Sequence, residues 1–250
     1  QLNQRGGTLT VRNSTSNNGT ISVNRMSGSN NSIAALVLNG TTSGNGTLNI
    51  GSTDFINGET VLLNGTVTLA NAAQSNMTAE LVAGNLTLGG DVRLSNLTVS
   101  NGTVTGNVGS RLVVADAFSQ TGGNLTLADA ALSQATGSLA IGNITANNLV
   151  LQAANGNLTQ STGTSMRVKS QLIASASSGI TFNNSGNQIA GFAANNSGTG
   201  DITLKNALNT SDASAVSING VTTTRGNISI DNTGGVVTSA IGTRASFLGS

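Results

Sequence analysis

The sequence predicts an all-β protein, a right-handed parallel β-helix (solenoid) with coils of about 19–20 residues. Three observations support this prediction: a short phrase returns at a nearly constant interval, polar and aliphatic residues alternate inside it, and no long stretch has helical spacing. The phrase reads Asn-Gly-Thr-Leu-Asn-Ile at Asn45–Ile50, Asn-Gly-Thr-Val-Thr-Leu at Asn64–Leu69 and Gly-Asn-Leu-Thr-Leu at Gly84–Leu88. One structural unit is therefore repeated along the chain.

The interval is set by a glycine in each copy of the phrase. Successive glycines are separated by 19, 19, 18, 21 and 19 residues. They are Gly46, Gly65, Gly84, Gly102, Gly123 and Gly142. Because Gly tolerates positive backbone φ angles, a glycine at this spacing predicts one sharp corner in each coil.

Alternation within the phrase predicts a β-strand with one buried face. In Gly84–Leu88 the residues run turn, polar, aliphatic, polar, aliphatic, so Leu86 faces inward while Asn85 and Thr87 face outward. The stretch with the most helical composition, Asp116–Ala140, is interrupted by Gly122 and Gly123. Antiparallel hairpins would need turns every 8–12 residues or so, and the longer period favours a closed coil of two or three short strands.

Composition agrees with a narrow aliphatic interior. The hydrophobic fraction is 37%, but aromatic residues make up only 2%, with five Phe and no Tyr or Trp. We expect two of them, Phe182 and Phe192, to fill the core. The net charge of +1 comes from ten basic and nine acidic residues that are spread singly. The sequence therefore lacks the kind of basic patch that indicates binding to nucleic acid or to an anionic membrane.

Several kinds of site lack the residues that they need. The chain has no Cys and no His, which removes disulfides and the usual transition-metal ligands. No apolar run approaches the roughly 18 residues of a membrane span, so we expect no membrane insertion. The acidic residues stand alone among neutral neighbours. We therefore expect no catalytic residues, no cofactor, no metal site and no enzymatic activity.

No linker composition divides the chain, so the sequence predicts one continuous β-helix over residues 1–250. The repeat is loose in 1–43, regular in 44–160 and interrupted by loops in 161–250. Three polar stretches, Arg25–Ser32, Asn183–Gln188 and Ala194–Thr199, are predicted to be loops. The first Met is residue 26 and no leader-like segment precedes it, so we expect an internal part of a longer chain.

Asn-X-Ser/Thr triplets are the second feature with chemical content, because they are acceptors for N-glycosylation. The chain has 17 with X other than proline, about twice the number expected from composition. The triplet asparagines are Asn13, Asn18, Asn30, Asn39, Asn45, Asn64, Asn76, Asn85, Asn96, Asn101, Asn124, Asn143, Asn157, Asn183, Asn195, Asn209 and Asn227.

Two structural explanations compete with glycosylation. Strand alternation places polar residues at i and i+2 on the outer face whether or not they are modified. Asparagines at equivalent corners, such as Asn45 with Asn64 or Asn124 with Asn143, could instead form amide ladders between coils. A third pattern, Thr-X-Thr, occurs at 8–10, 66–68 and 103–105 and is typical of ice-binding solenoids. The coil at 86–88 reads Leu-Thr-Leu, so this ladder is predicted to be broken.

The phrases at Gly84–Leu88, Gly123–Leu127, Ser178–Phe182, Gly200–Leu204 and Gly226–Ile230 resemble the repeat region of filamentous-haemagglutinin-type exoproteins of Gram-negative bacteria. The density of triplets is similar to that of the asparagine-glycosylated high-molecular-weight adhesins in this group. The resemblance covers nearly the whole chain and is one of texture and period. The Asn-Pro-Asn-Gly signature of the secretion domain is missing from this chain, which has no proline.

The resemblance implies a secreted protein or one at the bacterial cell surface, associated with the outer membrane. Its implied partners are an outer-membrane pore for two-partner secretion, a host-cell receptor or glycan, and a cytoplasmic glycosyltransferase. The function expected is a structural and adhesive segment of a surface fibre. The alternatives are the stalk of a contact-dependent toxin delivery protein and a polysaccharide-active β-helix enzyme.

Overall fold

The computed structural model describes residues 79–81, 84–208 and 215–236 with their side chains and gives the backbone of the strands outside those ranges. Its regular elements are β-strands, and the described residues contain no helix. The strands are β1 Leu2–Gln4, β2 Leu9–Val11, β3 Thr15–Ser16, β4 Thr20–Val23, β5 Ala35–Leu38, β6 Thr42–Ser43, β7 Thr47–Ile50, β8 Thr60–Leu63, β9 Thr66–Leu69, β10 Thr78–Leu81, β11 Asn85–Leu88, β12 Val92–Val99, β13 Thr103–Gly106, β14 Arg111–Gln120, β15 Asn124–Thr126, β16 Asp129–Gln134, β17 Leu139–Ile141, β18 Asn143–Ala153, β19 Leu158–Gln160, β20 Met166–Ala176, β21 Ile180–Phe182, β22 Gln188–Ile189, β23 Gly191–Thr199, β24 Ile202–Asn206, β25 Ala215–Arg225, β26 Ile228–Asn232, β27 Gly235–Ile241 and β28 Ala245–Gly249.

The strands pair in parallel with strands from neighbouring coils, which confirms the predicted β-solenoid. Two compact units, Gln1–Ala128 (unit 1) and Asp129–Ser250 (unit 2), make up the chain. The organisation as one continuous segment stays a prediction.

Unit 1 is built from stacks of parallel strands. One stack contains β8, β10, β12 and β14, and another contains β9, β11, β13 and β15. Leu86, Val104 and Leu125 lie in register and are at most 1% exposed. Complete burial of such a side chain contributes about 1.5–3 kcal/mol, so these columns of aliphatic residues hold successive coils together.

Unit 2 also contains two stacks of parallel strands. In the six-stranded sheet, Leu158, Ile180 and Ile202 form a buried column through β19, β21 and β24. In the second stack, Phe192 lies between Leu172 on β20 and Ile218 on β25. Phe182 and Phe192 are both 0% exposed, which confirms that they belong to the core.

Coil length varies more than the repeat of the phrase suggests. Register partners are 18 residues apart between Thr78 and Asn96, but 26 apart between Ile202 and Ile228. The longer coils take up the extra residues between strands, while the strands themselves stay in parallel register.

Three of the six predicted glycine corners are observed and are closely stacked. Gly46 and Gly65 lie outside the described residues, and the prediction for Gly142 is wrong, because this residue has no positive φ and lies directly between β17 and β18. Gly84, Gly102 and Gly123 have φ angles of 92°, 90° and 71°. A Cβ atom on Gly102 would overlap the carbonyl oxygen of Gly84. The same oxygen accepts the backbone N–H of Thr103 at 2.9 Å. Glycine is therefore required here both by the backbone angle and by the coil beneath it.

Two of the three predicted loops differ from the structure. The prediction for Ala194–Thr199 is wrong, because these residues belong to β23 (Gly191–Thr199). Asn196 is 0% exposed, and its amide bonds two carbonyl groups at the corner, so a polar residue occupies a core position. In the stretch 183–188, Gln188 begins β22 and Asn187 is fully buried, so only part of it is an exposed turn. Residues 25–32 lie outside the described residues.

Replacing Gly102 tests its two roles separately: adopting a positive φ angle and leaving room for the backbone of the neighbouring coil. We expect Gly102→Ala to lower the free energy of unfolding by about 2–5 kcal/mol, combining left-handed strain with a backbone clash. Gly109→Ala is the matched control, because Gly109 has φ 81° but no atom lies within 4 Å of the position that a Cβ would take. It should cost only about 1–2 kcal/mol. Equal losses in urea unfolding curves would show that stacking does not constrain the corner.

Candidate functional site

The outward positions of β11, β13 and β15 form a regular, uncharged polar surface on unit 1. Alternation places Leu86 in the core while Asn85 is exposed and Thr87 is half-buried, as the sequence predicts. We call this surface the polar face. Its six residues are Asn85, Thr87, Thr103, Thr105, Asn124 and Thr126.

Register shows that one column of the threonine ladder is continuous, while the other is broken as predicted. Thr87 lies opposite both Thr68 and Thr105, and Thr105 lies opposite Thr126. The broken column is interrupted by Asn85, which lies between Thr66 and Thr103, and by Asn124, which lies opposite Thr103. The sequence pattern aligned residues 86–88 with residues 66–68, whereas the strands pair residues 85–87 with residues 66–68.

Nine of the seventeen triplet asparagines have described side chains, and none of them is buried. They are Asn85, Asn96, Asn101, Asn124, Asn143, Asn157, Asn183, Asn195 and Asn227. The other eight lie outside the described residues: Asn13, Asn18, Asn30, Asn39, Asn45, Asn64, Asn76 and Asn209. The described triplet asparagines are therefore at least partly accessible to solvent.

The described triplet asparagines differ in how firmly their side chains are held. Asn85, Asn124 and Asn183 are exposed, and their amides bond no other group among the described residues. The Oδ1 atom of Asn143 accepts the backbone N–H of Ser165 at 2.9 Å. The Oδ1 atom of Asn195 accepts the hydroxyl of Thr222 at 2.9 Å. The amides of Asn85, Asn124 and Asn183 are therefore the least restrained candidates for glycosylation.

The structure shows an amide ladder, but not at the predicted pair Asn124 and Asn143. Asn45 and Asn64 are outside the described residues, Asn124 is exposed, and Asn143 bonds a backbone N–H. A ladder does occur inside unit 2, where Nδ2 of Asn206 donates to Oδ1 of Asn232 at 2.9 Å. The same Asn206 side chain binds both the N–H and the carbonyl of Ile189.

A second amide pair, which joins half-buried Gln160 to buried Asn187, was not predicted from the sequence. The amides of Gln160 and Asn187 bond each other reciprocally at 2.7 and 2.9 Å. Asn187 also accepts the N–H of Met166 and donates to the carbonyl of Lys205. The sequence does contain a pattern that predicts burial of the other pair, Asn206 and Asn232. Alternation that starts from Ile202 and from Ile228 places both asparagines on the inward face.

Buried and modifiable asparagines are separate sets. The four asparagines that are buried among the described residues, Asn187, Asn196, Asn206 and Asn232, do not begin a triplet. Alternation accounts for part of this separation, since a polar residue at i+2 favours an outward strand face. The separation nevertheless leaves every described triplet asparagine outside the core.

Two grooves on unit 2 each contain a triplet. One, of about 400 Å³, is lined by residues that include Asn183, Ser185 and Lys205. The other, of about 330 Å³, includes Asn195 and Ser197 in its lining. Small hydroxyl and amide groups dominate both linings.

Acidic side chains in the described residues bridge neighbouring coils. Asp91 accepts the backbone N–H of Arg111 at 3.0 Å, and Asp201 accepts that of Asn227 at 2.7 Å. Asp129 accepts the amide of Asn148 at 2.9 Å. Within the described part of the chain, no three His, Cys, Asp or Glu residues gather as metal ligands.

The chain matches no family model, no curated protein and no solved structure. A search of the described residues for a helix long and apolar enough to cross a membrane finds none.

Removing a buried amide should leave its partners without hydrogen bonds. We expect Asn206→Ala to lower the free energy of unfolding by about 1–3 kcal/mol for each polar group left unpaired, since Ile189 and Asn232 lose their partner. Asn124→Ala, at an exposed position, should change stability by less than about 0.5 kcal/mol. Urea midpoints measure both, and similar losses would contradict a role for the buried ladder.

Proposed function

We propose that this chain is a structural and adhesive segment of a bacterial fibre that is secreted or held at the outer membrane and attaches to host cells. The single observation that carries the proposal is the polar face: a regular surface of short, uncharged side chains displayed on stacked coils. Such a surface suits contact with an extended partner better than enclosure of a small substrate.

Buried side chains hold the polar face in place, while two of its side-chain amides are exposed to solvent. Beneath it, Leu86, Val104 and Leu125 are buried in register. On its outer side, the exposed Asn85 and Asn124 amides bond none of the residues described with side chains, so their donors and acceptors face solvent. A host receptor or glycan would meet these groups at low ordering cost, because the strands already fix them.

A role as scaffold and not as enzyme is part of this proposal. Asp91, Asp129 and Asp201 already accept hydrogen bonds from neighbouring coils, so they act as structural ties. General acid–base chemistry requires groups that converge on one reacting atom. Export would use an outer-membrane partner pore, and no nucleic acid is required.

Glycosylation by a cytoplasmic enzyme forms the second part of the proposal. The nine described triplet asparagines lie outside the core, so a hexose on Nδ2 would project from the solenoid without displacing aliphatic residues. The sugars would add polar bulk to a surface that carries few charges.

Adhesion is tested with beads coated with the purified chain and applied to cultured epithelial cells. Folded chain should retain several times more beads than chain coated after urea denaturation, because binding needs the ordered face. The double variant Thr87→Lys with Thr105→Lys should reduce attachment, since it places two charges on the polar face. Thr203→Lys with Ser229→Lys, on outward positions of unit 2, is the matched control, and circular dichroism checks folding. Attachment equal to that of denatured chain would overturn the proposal.

Glycosylation is tested by intact-mass measurement and peptide mapping of the chain purified from the cell that produces it. We expect hexose increments on Asn85, Asn124 and Asn183, whose amides are exposed and unbonded, and none on Asn187 or Asn206. Asn85→Gln should remove one increment. An unmodified mass would reduce the triplets to a consequence of strand alternation.

A further inference from the structure

Three Asn-Gly pairs lie in the part of the chain that the structure describes: Asn101–Gly102, Asn155–Gly156 and Asn219–Gly220. Asparagine followed by glycine is chemically labile, because no side chain shields the glycine nitrogen from the preceding side-chain carbonyl. The three asparagines are all exposed. They differ in what holds the side-chain amide.

At Asn101 the reacting groups are already together. The backbone nitrogen of Gly102 donates to Oδ1 of Asn101 at 2.8 Å. Since Oδ1 is bonded directly to Cγ, this hydrogen bond keeps the nitrogen close to the carbon that it would attack, and such closeness favours reaction. Among the described residues the Asn101 amide has no other hydrogen-bond partner, so its nitrogen is free to leave.

The other two amides are held by neighbouring residues. Nδ2 of Asn155 donates to the carbonyl of Ala135 at 3.0 Å. For Asn219, Nδ2 donates to Oε1 of Gln171 at 2.6 Å while Oδ1 accepts the hydroxyl of Ser217 at 2.9 Å. Reaction at either site requires these hydrogen bonds to break first.

We propose that Asn101 is a site of spontaneous deamidation that the fold selects over Asn155 and Asn219. The Gly102 nitrogen forms a bond to Cγ of Asn101, the bond from Cγ to Nδ2 breaks, and the proton of the Gly102 nitrogen leaves with Nδ2 as ammonia. The resulting succinimide then adds one water molecule at either carbonyl. The products are aspartate and isoaspartate, and no oxidant or reductant takes part.

The reaction changes both the surface and the corner of the coil. Either product adds a negative charge and removes the acceptor amide of the triplet Asn101-Gly102-Thr103. Isoaspartate also inserts a methylene group into the backbone beside Gly102, whose carbonyl accepts the N–H of Asn124 at 2.9 Å. Aged molecules would therefore differ from new ones at one defined corner.

The test is incubation of the purified chain at mildly alkaline pH in ¹⁸O-labelled water, followed by proteolysis and mass spectrometry of the three sites. Each rate is divided by the rate of the same site in urea, which removes the influence of neighbouring sequence. We expect the normalised rate at Asn101 to exceed those at Asn155 and Asn219 by about tenfold. Equal normalised rates, or a slower rate at Asn101, would overturn the proposal.

A variant checks the physical cause. Gln171→Ala removes the acceptor that holds Asn219, so conversion at Asn219 should accelerate while conversion at Asn101 stays unchanged. Thr103→Ala keeps the Asn101–Gly102 pair and should leave its rate unaltered. If Asn219 reacted no faster in the Gln171 variant, restraint by hydrogen bonds would not explain the selection.

Discussion

Parallel backbone pairing between coils is the constraint on which the rest of the structure depends. Paired strands lie about 4.8 Å apart, so every position of the coil must accommodate its neighbour at that distance. In strands this places Leu86 over Val104, and aliphatic contact stabilises both. At corners the same spacing leaves no room for a Cβ atom on Gly102. The repeating phrase satisfies both conditions at once.

Corners also leave backbone groups that strand pairing does not satisfy, and buried amides supply the missing partners. Asn196 accepts the N–H of Gly179 and donates to the carbonyl of Gly200. Asn206 does the same for both groups of Ile189. A side chain with two donors and one acceptor oxygen suits this task, because an unpaired buried backbone group is costly. Polar residues thus enter the core without leaving it unsatisfied.

The outer faces have the opposite character. Asn85 and Asn124 resemble the buried asparagines chemically, yet their amides face solvent because each follows a corner glycine on an outward strand position. Asn195 falls between these cases, exposed but bonded to Thr222. The same residue type therefore serves as structural tie, as candidate acceptor and, at Asn101, as a labile group, depending on what surrounds its amide.

The sequence by itself determined the strand class and the facing of individual residues, since side-chain alternation is local: Leu86 in, Thr87 out, and glycine at the corners. It also carried enough alternation to place Asn206 inward. Only the tertiary structure decided which residues face each other across coils, because coils of different length shift the register. The burial of Asn196 inside β23 and the pairing of Asn187 with Gln160 both depend on contacts between residues that are 27 positions apart. Such contacts are set by the packing of whole coils, which no local pattern encodes.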